Sequence, residues 1–121
     1  MPQPDLGTVR DRLGNHSRVP VHETFVSDTL TPVSAYLNLT HGAQRKGFLL
    51  ESVEQGQQVA RSSFLGVDPA GEIVWKNGDY NVTGDLTVED PSSPFDLVDQ
   101  VMREWSVPAP ENLPDFTGGL V

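Results

Sequence analysis

The sequence contains no cysteine among its 121 residues. This absence excludes a disulfide framework, a thiolate metal site and a cysteine nucleophile, so the chemistry of the chain must use oxygen and nitrogen groups. Long apolar runs are absent as well. No stretch approaches the roughly 18 apolar residues of a membrane span, and residues 1–14 lack the apolar run of a signal peptide. The sequence therefore predicts a cytoplasmic protein that does not enter a membrane.

Basic residues are scarce. Eight Lys and Arg side chains stand against 17 Asp and Glu side chains, which gives a net charge of −9. A charge of this sign repels phosphate backbones and anionic lipid headgroups. The composition therefore argues against nucleic acid and membrane surfaces as partners.

Apolar residues make up 36% of the chain, a low fraction for a compact domain, whereas proline occurs ten times and glycine eleven times. A chain of this length forms one domain and buries roughly two-thirds of its unfolded surface. We interpret the low apolar content and the many turn residues as a domain whose surface another domain covers.

Two helices are predicted in the first third of the chain. Asp5 is a candidate N-cap for a helix over residues 5–13. Thr31 followed by Pro32 is typical of an N-cap with proline at the first helical position, and this second helix is expected to end near Gly42.

A third helix is predicted after a Pro/Ser-rich break, where Ser93 and Pro94 repeat the N-cap and proline pattern. Its apolar residues recur at helical spacing and predict one face that packs on a sheet. They are Phe95, Leu97, Val98, Val101, Met102 and Trp105.

The middle of the chain predicts strands at 47–53, 61–67, 72–76 and 80–88, separated by turn clusters. The pair Asn77-Gly78 is the strongest hairpin signal among these turns. The predicted fold class is α+β, in which an antiparallel sheet packs against two or three helices. Residues 1–106 are expected to form this domain. Residues 107–121 have the proline and glycine content of a linker.

Three stretches resemble, in order and spacing, the N-terminal region of the chorismate-utilising enzymes. They are Val-Pro-Val at 19–21 with LTPVSAYLNL at 30–39, FLLESVEQGQQVARSSFLGVDP at 48–69, and FTGGLV at 116–121. Within this family the run Leu-Leu-Glu-Ser at 49–52 favours component I of anthranilate synthase. The chain departs from the family at residues 60–63, where members often have Gly-Arg-Tyr-Ser and this chain has Ala-Arg-Ser-Ser.

The resemblance implies that this chain corresponds to part of a larger enzyme. The complete enzyme would be a lyase that makes anthranilate from chorismate for tryptophan biosynthesis. Ammonia would come from a glutamine amidotransferase subunit, and Mg²⁺ would be held by acidic residues. By the same resemblance these catalytic residues belong to a C-terminal portion of component I. We therefore expect no catalytic residue, no cofactor and no metal site in this chain. The N-terminal portion would supply part of a larger α/β sandwich and part of a feedback site for L-tryptophan.

Four residues are the candidates for binding L-tryptophan: Leu50, Glu51, Ser52 and Arg61. An amino-acid ligand needs a cation for its carboxylate, acceptors for its ammonium group and an apolar slot for its side chain. We assign Ser52 the direct contact with tryptophan. Glu51 would hold the ammonium group or fix the loop, and Arg61 would bind the carboxylate or form a salt bridge with Glu51.

A structural interpretation competes with this assignment. A Glu and an Arg that flank a hairpin are usually a solvated cross-strand pair, worth less than about 1 kcal/mol. Side chains also alternate along a strand, so Glu51 and Ser52 reach one pocket only if the strand ends or bulges between them. The following sequence, Glu-Gln-Gly-Gln-Gln, is compatible with such an ending.

Two other functions stay open. The chain could be a stand-alone, non-catalytic module that binds an amino acid or a protein partner, or it could correspond to the same part of an aminodeoxychorismate synthase. A stand-alone module is expected to be monodisperse and to contain a complete pocket. A fragment is expected to associate through its uncovered apolar surface.

Overall fold

The structure is a computed structural model that describes residues 1–51, 62–105, 107–108, 113 and 119–121. Three helices and four strands lie within these residues, which confirms the α+β class. In chain order they are α1 (Leu6–Leu13), α2 (Pro32–Leu39), β1 (Gly47–Glu51), β2 (Ser63–Val67), β3 (Gly71–Lys76), β4 (Asp79–Gly84) and α3 (Pro94–Glu104).

The described strands form two small sheets rather than the single sheet that the sequence predicts. One sheet pairs β1 with β2, and the other pairs β3 with β4. The chain also clusters into two compact units, with Val26–Glu72 in one and Met1–Phe25 with Ile73–Val121 in the other. We call Val26–Glu72 the hairpin unit and the remainder the terminal unit. Most of the predicted linker lies outside the described residues, so that assignment stays a prediction.

Helix α2 of the hairpin unit begins as the sequence predicts. The Thr31 hydroxyl accepts a hydrogen bond from the Ser34 amide at 3.1 Å, and the Ser34 hydroxyl accepts one from the Thr31 amide at 2.9 Å. This reciprocal pair is a capping box, and Pro32 occupies the first turn. At the other end the buried Thr40 hydroxyl donates to the Tyr36 carbonyl and accepts from the Ala43 amide.

Strands β1 and β2 pair antiparallel from Gly47 opposite Val67 to Glu51 opposite Ser63. Helix α2 lies over the face that contains Gly47, because a Cβ atom added there would stand 3.1 Å from Thr40 and 3.3 Å from Tyr36. Side chains alternate along each strand, so Leu49 shares this helix-covered face and Leu50 belongs to the opposite face.

In the terminal unit α3 begins at Ser93, whose hydroxyl accepts from the Asp96 amide at 3.1 Å. Asp96 in turn accepts from the Ser92 amide at 2.9 Å. The Gln100 side chain then binds both backbone groups of Glu89, accepting from its amide at 2.8 Å and donating to its carbonyl at 2.9 Å. These contacts hold residues 89–92 against the first turns of the helix.

The apolar face predicted for α3 is only partly buried. Leu97 and Val101 are 1% exposed and are the buried apolar residues of the described chain. Phe95, by contrast, is 86% exposed, and Val98 and Met102 are nearly half exposed. The prediction that all six apolar residues form one packed face is therefore wrong, because these three point to a side of the helix that is exposed among the described residues.

The hairpin of β3 and β4 turns at Asn77 and Gly78, whose φ angles are 55° and 82°. Two positive φ angles at the centre of a two-residue loop are typical of a type I′ turn, as Asn-Gly predicts. The rings of Trp75 and Tyr80 stack across this hairpin with centroids 5.7 Å apart. Strand β4 ends at Gly84, four residues before the predicted end at residue 88.

Helix α1 begins at Asp5, whose carboxylate accepts from the Thr8 amide at 2.9 Å. The backbone of Gln3 pairs with that of His22 through two hydrogen bonds of 2.7 and 2.8 Å. Near the end of α3, the Arg18 guanidinium lies 3.8 Å from the centre of the Trp105 ring. Within the described residues no helix is long and apolar enough to cross a bilayer.

Protonation of Asp96 is predicted to weaken the start of α3. The Ser92 amide, and then the Gln100 amide, hold the pKa of Asp96 below its ordinary value of 3.8. The stabilisation is therefore complete above 3.8 and is lost as the pH falls through the lowered pKa. Asp96→Asn should remove this part of the pH dependence, measured by denaturant unfolding with circular dichroism at neutral and acid pH. Asp28→Asn, which changes an exposed carboxylate outside the helices, is the control. An unchanged pH profile in Asp96→Asn would refute the role of the cap.

Candidate functional site

The predicted ligand residues fall at one end of the β1–β2 hairpin. Leu50 and Glu51 are the last two residues of β1, and β2 begins at Ser63. Ser52 and Arg61 lie outside the described residues, so their roles stay predictions. The described part of the site is thus the end of the hairpin at which residues 52–62 connect β1 to β2, formed by Leu50, Glu51 and the residues opposite them.

Glu51 is exposed and pairs in register with Ser63. A hydroxyl residue, and not a basic one, therefore occupies the position directly across the sheet from the carboxylate. Arg61 lies outside the described residues, so the alternative of a solvated cross-strand pair between Glu51 and Arg61 stays open. A carboxylate at a strand end, beside a hydroxyl, can accept hydrogen bonds from an ammonium group.

Leu50 pairs with Phe64 on the other face of the hairpin and is 46% exposed. Phe48 belongs to the same face, so three apolar side chains lie on the side away from α2. Leu50 and Glu51 consequently point to opposite faces while both are in the strand. A ligand that contacts both side chains must therefore reach both faces of the hairpin.

The Lys and Arg side chains that the structure describes in the hairpin unit form ion pairs at the other end of the hairpin. Arg45 forms an ion pair with Asp68, and Lys46 forms one with Glu72. These residues adjoin Gly47 and Val67, where the chain enters β1 and leaves β2, whereas Glu51 lies at the end where residues 52–62 connect the two strands. A cation for a ligand carboxylate at the Glu51 end has to come from outside these pairs, which is compatible with the role predicted for Arg61.

Two glycines allow the close packing that positions this hairpin, and the sequence interpretation missed both. A Cβ atom added to Gly66 would stand 2.3 Å from the Phe48 ring, so the ring lies directly over this glycine. A Cβ atom added to Gly47 would stand 2.6 Å from the Gly66 carbonyl oxygen. Glycine inside a strand often marks such a close approach, and this signal could have identified both positions.

The described acidic and imidazole side chains do not form a metal site. Within residues 1–51 and 62–105, no three His, Asp or Glu side chains come close enough to hold one metal ion. The described part of the site offers the Glu51 carboxylate, the Ser63 hydroxyl and the apolar surface of Leu50.

Comparison with known proteins gives one consistent result. The chain is 32% identical over 120 residues to a probable anthranilate synthase component 1 of Schizosaccharomyces pombe, a match that covers 98% of this chain and 22% of that protein. It is 36% identical over 119 residues to the chloroplastic anthranilate synthase alpha subunit 2 of Oryza sativa, covering 89% of this chain and 20% of the relative. It is 31% identical over 120 residues to anthranilate synthase component 1 of Acinetobacter calcoaceticus, covering 91% and 23%.

The chain thus spans about a fifth of the length of these curated relatives. No family model matches the sequence. No solved structure matches it either.

Alanine substitutions at the two strand glycines are predicted to lower the free energy of unfolding by different amounts. Gly66→Ala should destabilise the chain by about 1–3 kcal/mol, because the Phe48 ring must leave its place. Gly47→Ala should cost more, because the atom that it meets is the Gly66 carbonyl oxygen, which cannot move without distorting the sheet. Denaturant unfolding of both variants measures the difference.

Phe48→Leu supplies the control in a double-mutant cycle. It should recover part of the loss in Gly66→Ala and none of the loss in Gly47→Ala. Equal costs for the two alanines, or rescue of both, would contradict the packing described here.

Proposed function

This chain resembles the N-terminal region of anthranilate synthase component 1, and we propose that it serves as the regulatory segment of such an enzyme. The observation that carries the proposal is the match of 30–36% identity over nearly the whole chain, against only a fifth of each relative. The whole enzyme would convert chorismate to anthranilate, and this segment alone would turn over no chorismate.

The distribution of apolar side chains supports a role within a larger fold. Exposed apolar residues lie on α2, at Val33 and Leu37, and on α3, at Phe95 and Met102. On each helix the two residues are separated by whole turns and therefore share one side. Contiguous apolar surface of this kind usually contacts another part of a protein. The catalytic portion of component 1 is the partner that we propose for these surfaces.

The proposed ligand of the segment is L-tryptophan, the end product of the pathway, bound where β1 ends. Glu51 would accept hydrogen bonds from the ammonium group, Ser52 would contact the ligand directly, and Arg61 would bind the carboxylate. Leu50 would contribute apolar surface beside the indole ring. The exposure of Glu51 and its register opposite Ser63 leave its carboxylate accessible from one side of the hairpin.

Feedback requires that tryptophan bind two states of the enzyme with different affinity. The hairpin unit could supply this difference if the end of the hairpin that contains Glu51 contacts the catalytic portion in one state only. Mg²⁺ and the glutamine amidotransferase subunit would act on that portion. By the resemblance, the acidic residues that hold Mg²⁺ would belong to the C-terminal portion of component 1.

Exchange of the segment tests the role in the complete enzyme. The matching fifth of the Acinetobacter calcoaceticus enzyme is replaced by this chain, and anthranilate formation from chorismate and ammonia is followed by fluorescence. We expect the hybrid to be active, and the enzyme without the segment to be inactive. The matched control is a second hybrid, in which the same part of the Acinetobacter calcoaceticus enzyme is replaced by the corresponding segment of the Neisseria meningitidis enzyme. That relative is 30% identical to this chain. An inactive hybrid beside an active control would refute the proposal.

Substitution of Ser52 tests the tryptophan site in the active hybrid. Ser52→Phe should leave turnover nearly unchanged and raise the tryptophan concentration for half-inhibition by about tenfold or more, since a lost contact of about 1.4 kcal/mol is a factor of ten. The aromatic ring would fill the space that the ligand needs. Initial rates at increasing tryptophan concentration give both values.

Ser27→Phe is the matched control, because Ser27 is an exposed residue outside the helices and strands. It should leave both the rate and the inhibition unchanged. Unchanged inhibition in Ser52→Phe would remove Ser52 from the site, and equal effects of the two substitutions would show that the added ring acts non-specifically.

A further inference from the structure

The turn between β3 and β4 brings together the features that favour spontaneous chemistry at an amide side chain. Asn77 is exposed, has a φ angle of 55°, and precedes Gly78, which has a φ angle of 82°. Asn77 is also the only asparagine of the chain that is followed by glycine. The others precede larger residues: Asn15 precedes His16, Asn38 precedes Leu39, Asn81 precedes Val82 and Asn112 precedes Leu113.

The reaction that this pair permits needs only water. The backbone nitrogen of Gly78 attacks the side-chain carbonyl carbon of Asn77, the new C–N bond closes a cyclic imide, and ammonia leaves. Water then opens the ring at either carbonyl and yields aspartate or isoaspartate. A side chain at the following residue hinders the attack, and glycine has none: nothing lies within 4 Å of the position of its missing Cβ.

The local structure gives this reaction access to the conformations that it requires. In the closed type I′ turn the backbone is fixed, so attack depends on brief opening of the turn. A two-stranded sheet is marginally stable at best when isolated. All residues of β4 except Val82 are exposed, so within the described residues little buried surface opposes such an opening.

We propose that Asn77 is a site of spontaneous deamidation that converts the β3–β4 turn from its closed to an altered form. Isoaspartate carries the main chain through its side-chain carbon and so adds one atom to the backbone of a two-residue turn. A type I′ geometry cannot accommodate that atom. The modified hairpin loses the register that stacks Trp75 on Tyr80, and the chain gains one negative charge.

The test uses the intact chain, incubated at physiological temperature and mildly alkaline pH. Peptide mapping by mass spectrometry follows the amide-to-acid change at each asparagine, and an isoaspartate-specific methylation assay identifies the product. We expect conversion at Asn77 to be several-fold faster than at Asn15, Asn38 or Asn81. We also expect its rate to rise with pH, since the attacking nitrogen must lose its proton. Conversion at Asn77 no faster than at these internal controls would overturn the proposal.

The effect on the hairpin is measured separately. Near-ultraviolet circular dichroism of the aromatic pair should decrease in proportion to the isoaspartate formed. Asn77→Gly is the matched control, because Gly-Gly also suits a type I′ turn and has no amide to lose. Its signal should stay constant over the same incubation. An equal loss of signal in Asn77→Gly, or a constant signal in a chain that has formed isoaspartate, would overturn the proposed change of the turn.

Discussion

The close approach that Gly47 and Gly66 permit is the constraint on which the hairpin unit depends. The Phe48 ring occupies the space above Gly66 on one face of the sheet, and Tyr36 and Thr40 of α2 occupy the space above Gly47 on the other. A Cβ atom at Gly66 would stand 2.3 Å from the Phe48 ring, and one at Gly47 would stand 2.6 Å from the Gly66 carbonyl oxygen, so neither position takes a side chain unless its neighbours shift. Helix α2 therefore packs close to the sheet at Gly47, and alternation along β1 puts Glu51 on the same face.

Local signals predicted the local structure well. The capping residues Thr31 and Ser93 start α2 and α3, and Asn77-Gly78 forms the expected turn, because each of these depends on hydrogen bonds or φ angles within a few residues. The pairing of the strands into two sheets and the exposure of Phe95 were not predictable in this way. They depend on contacts between residues far apart in the sequence, and helical periodicity cannot distinguish a side covered by the same chain from a side covered by another.

The same distinction applies to the candidate site. Sequence placed Leu50 and Glu51 within a strand predicted over 47–53, and alternation along the strand placed them on opposite faces, as the register of β1 and β2 has it. The residue opposite Glu51 could not be predicted, because register depends on where the second strand begins. That strand begins at Ser63 rather than at residue 61, so a serine takes the position across from the carboxylate.

The hairpin unit buries few side chains among the described residues. The unit extends from Val26 to Glu72, a length at which a single core gives little stability without a metal, a disulfide or a partner surface. The chain has no cysteine. Thr40 is the buried residue that the structure describes in this unit, and Leu97 and Val101 belong to the other. Capping and glycine contacts give the hairpin unit its geometry, but they bury little apolar area, and burial of apolar area is the main source of stability. A surface that covered Leu50, Val33 and Leu37, which are each nearly half exposed, would add such burial, and this is the role proposed for the catalytic portion of a longer enzyme.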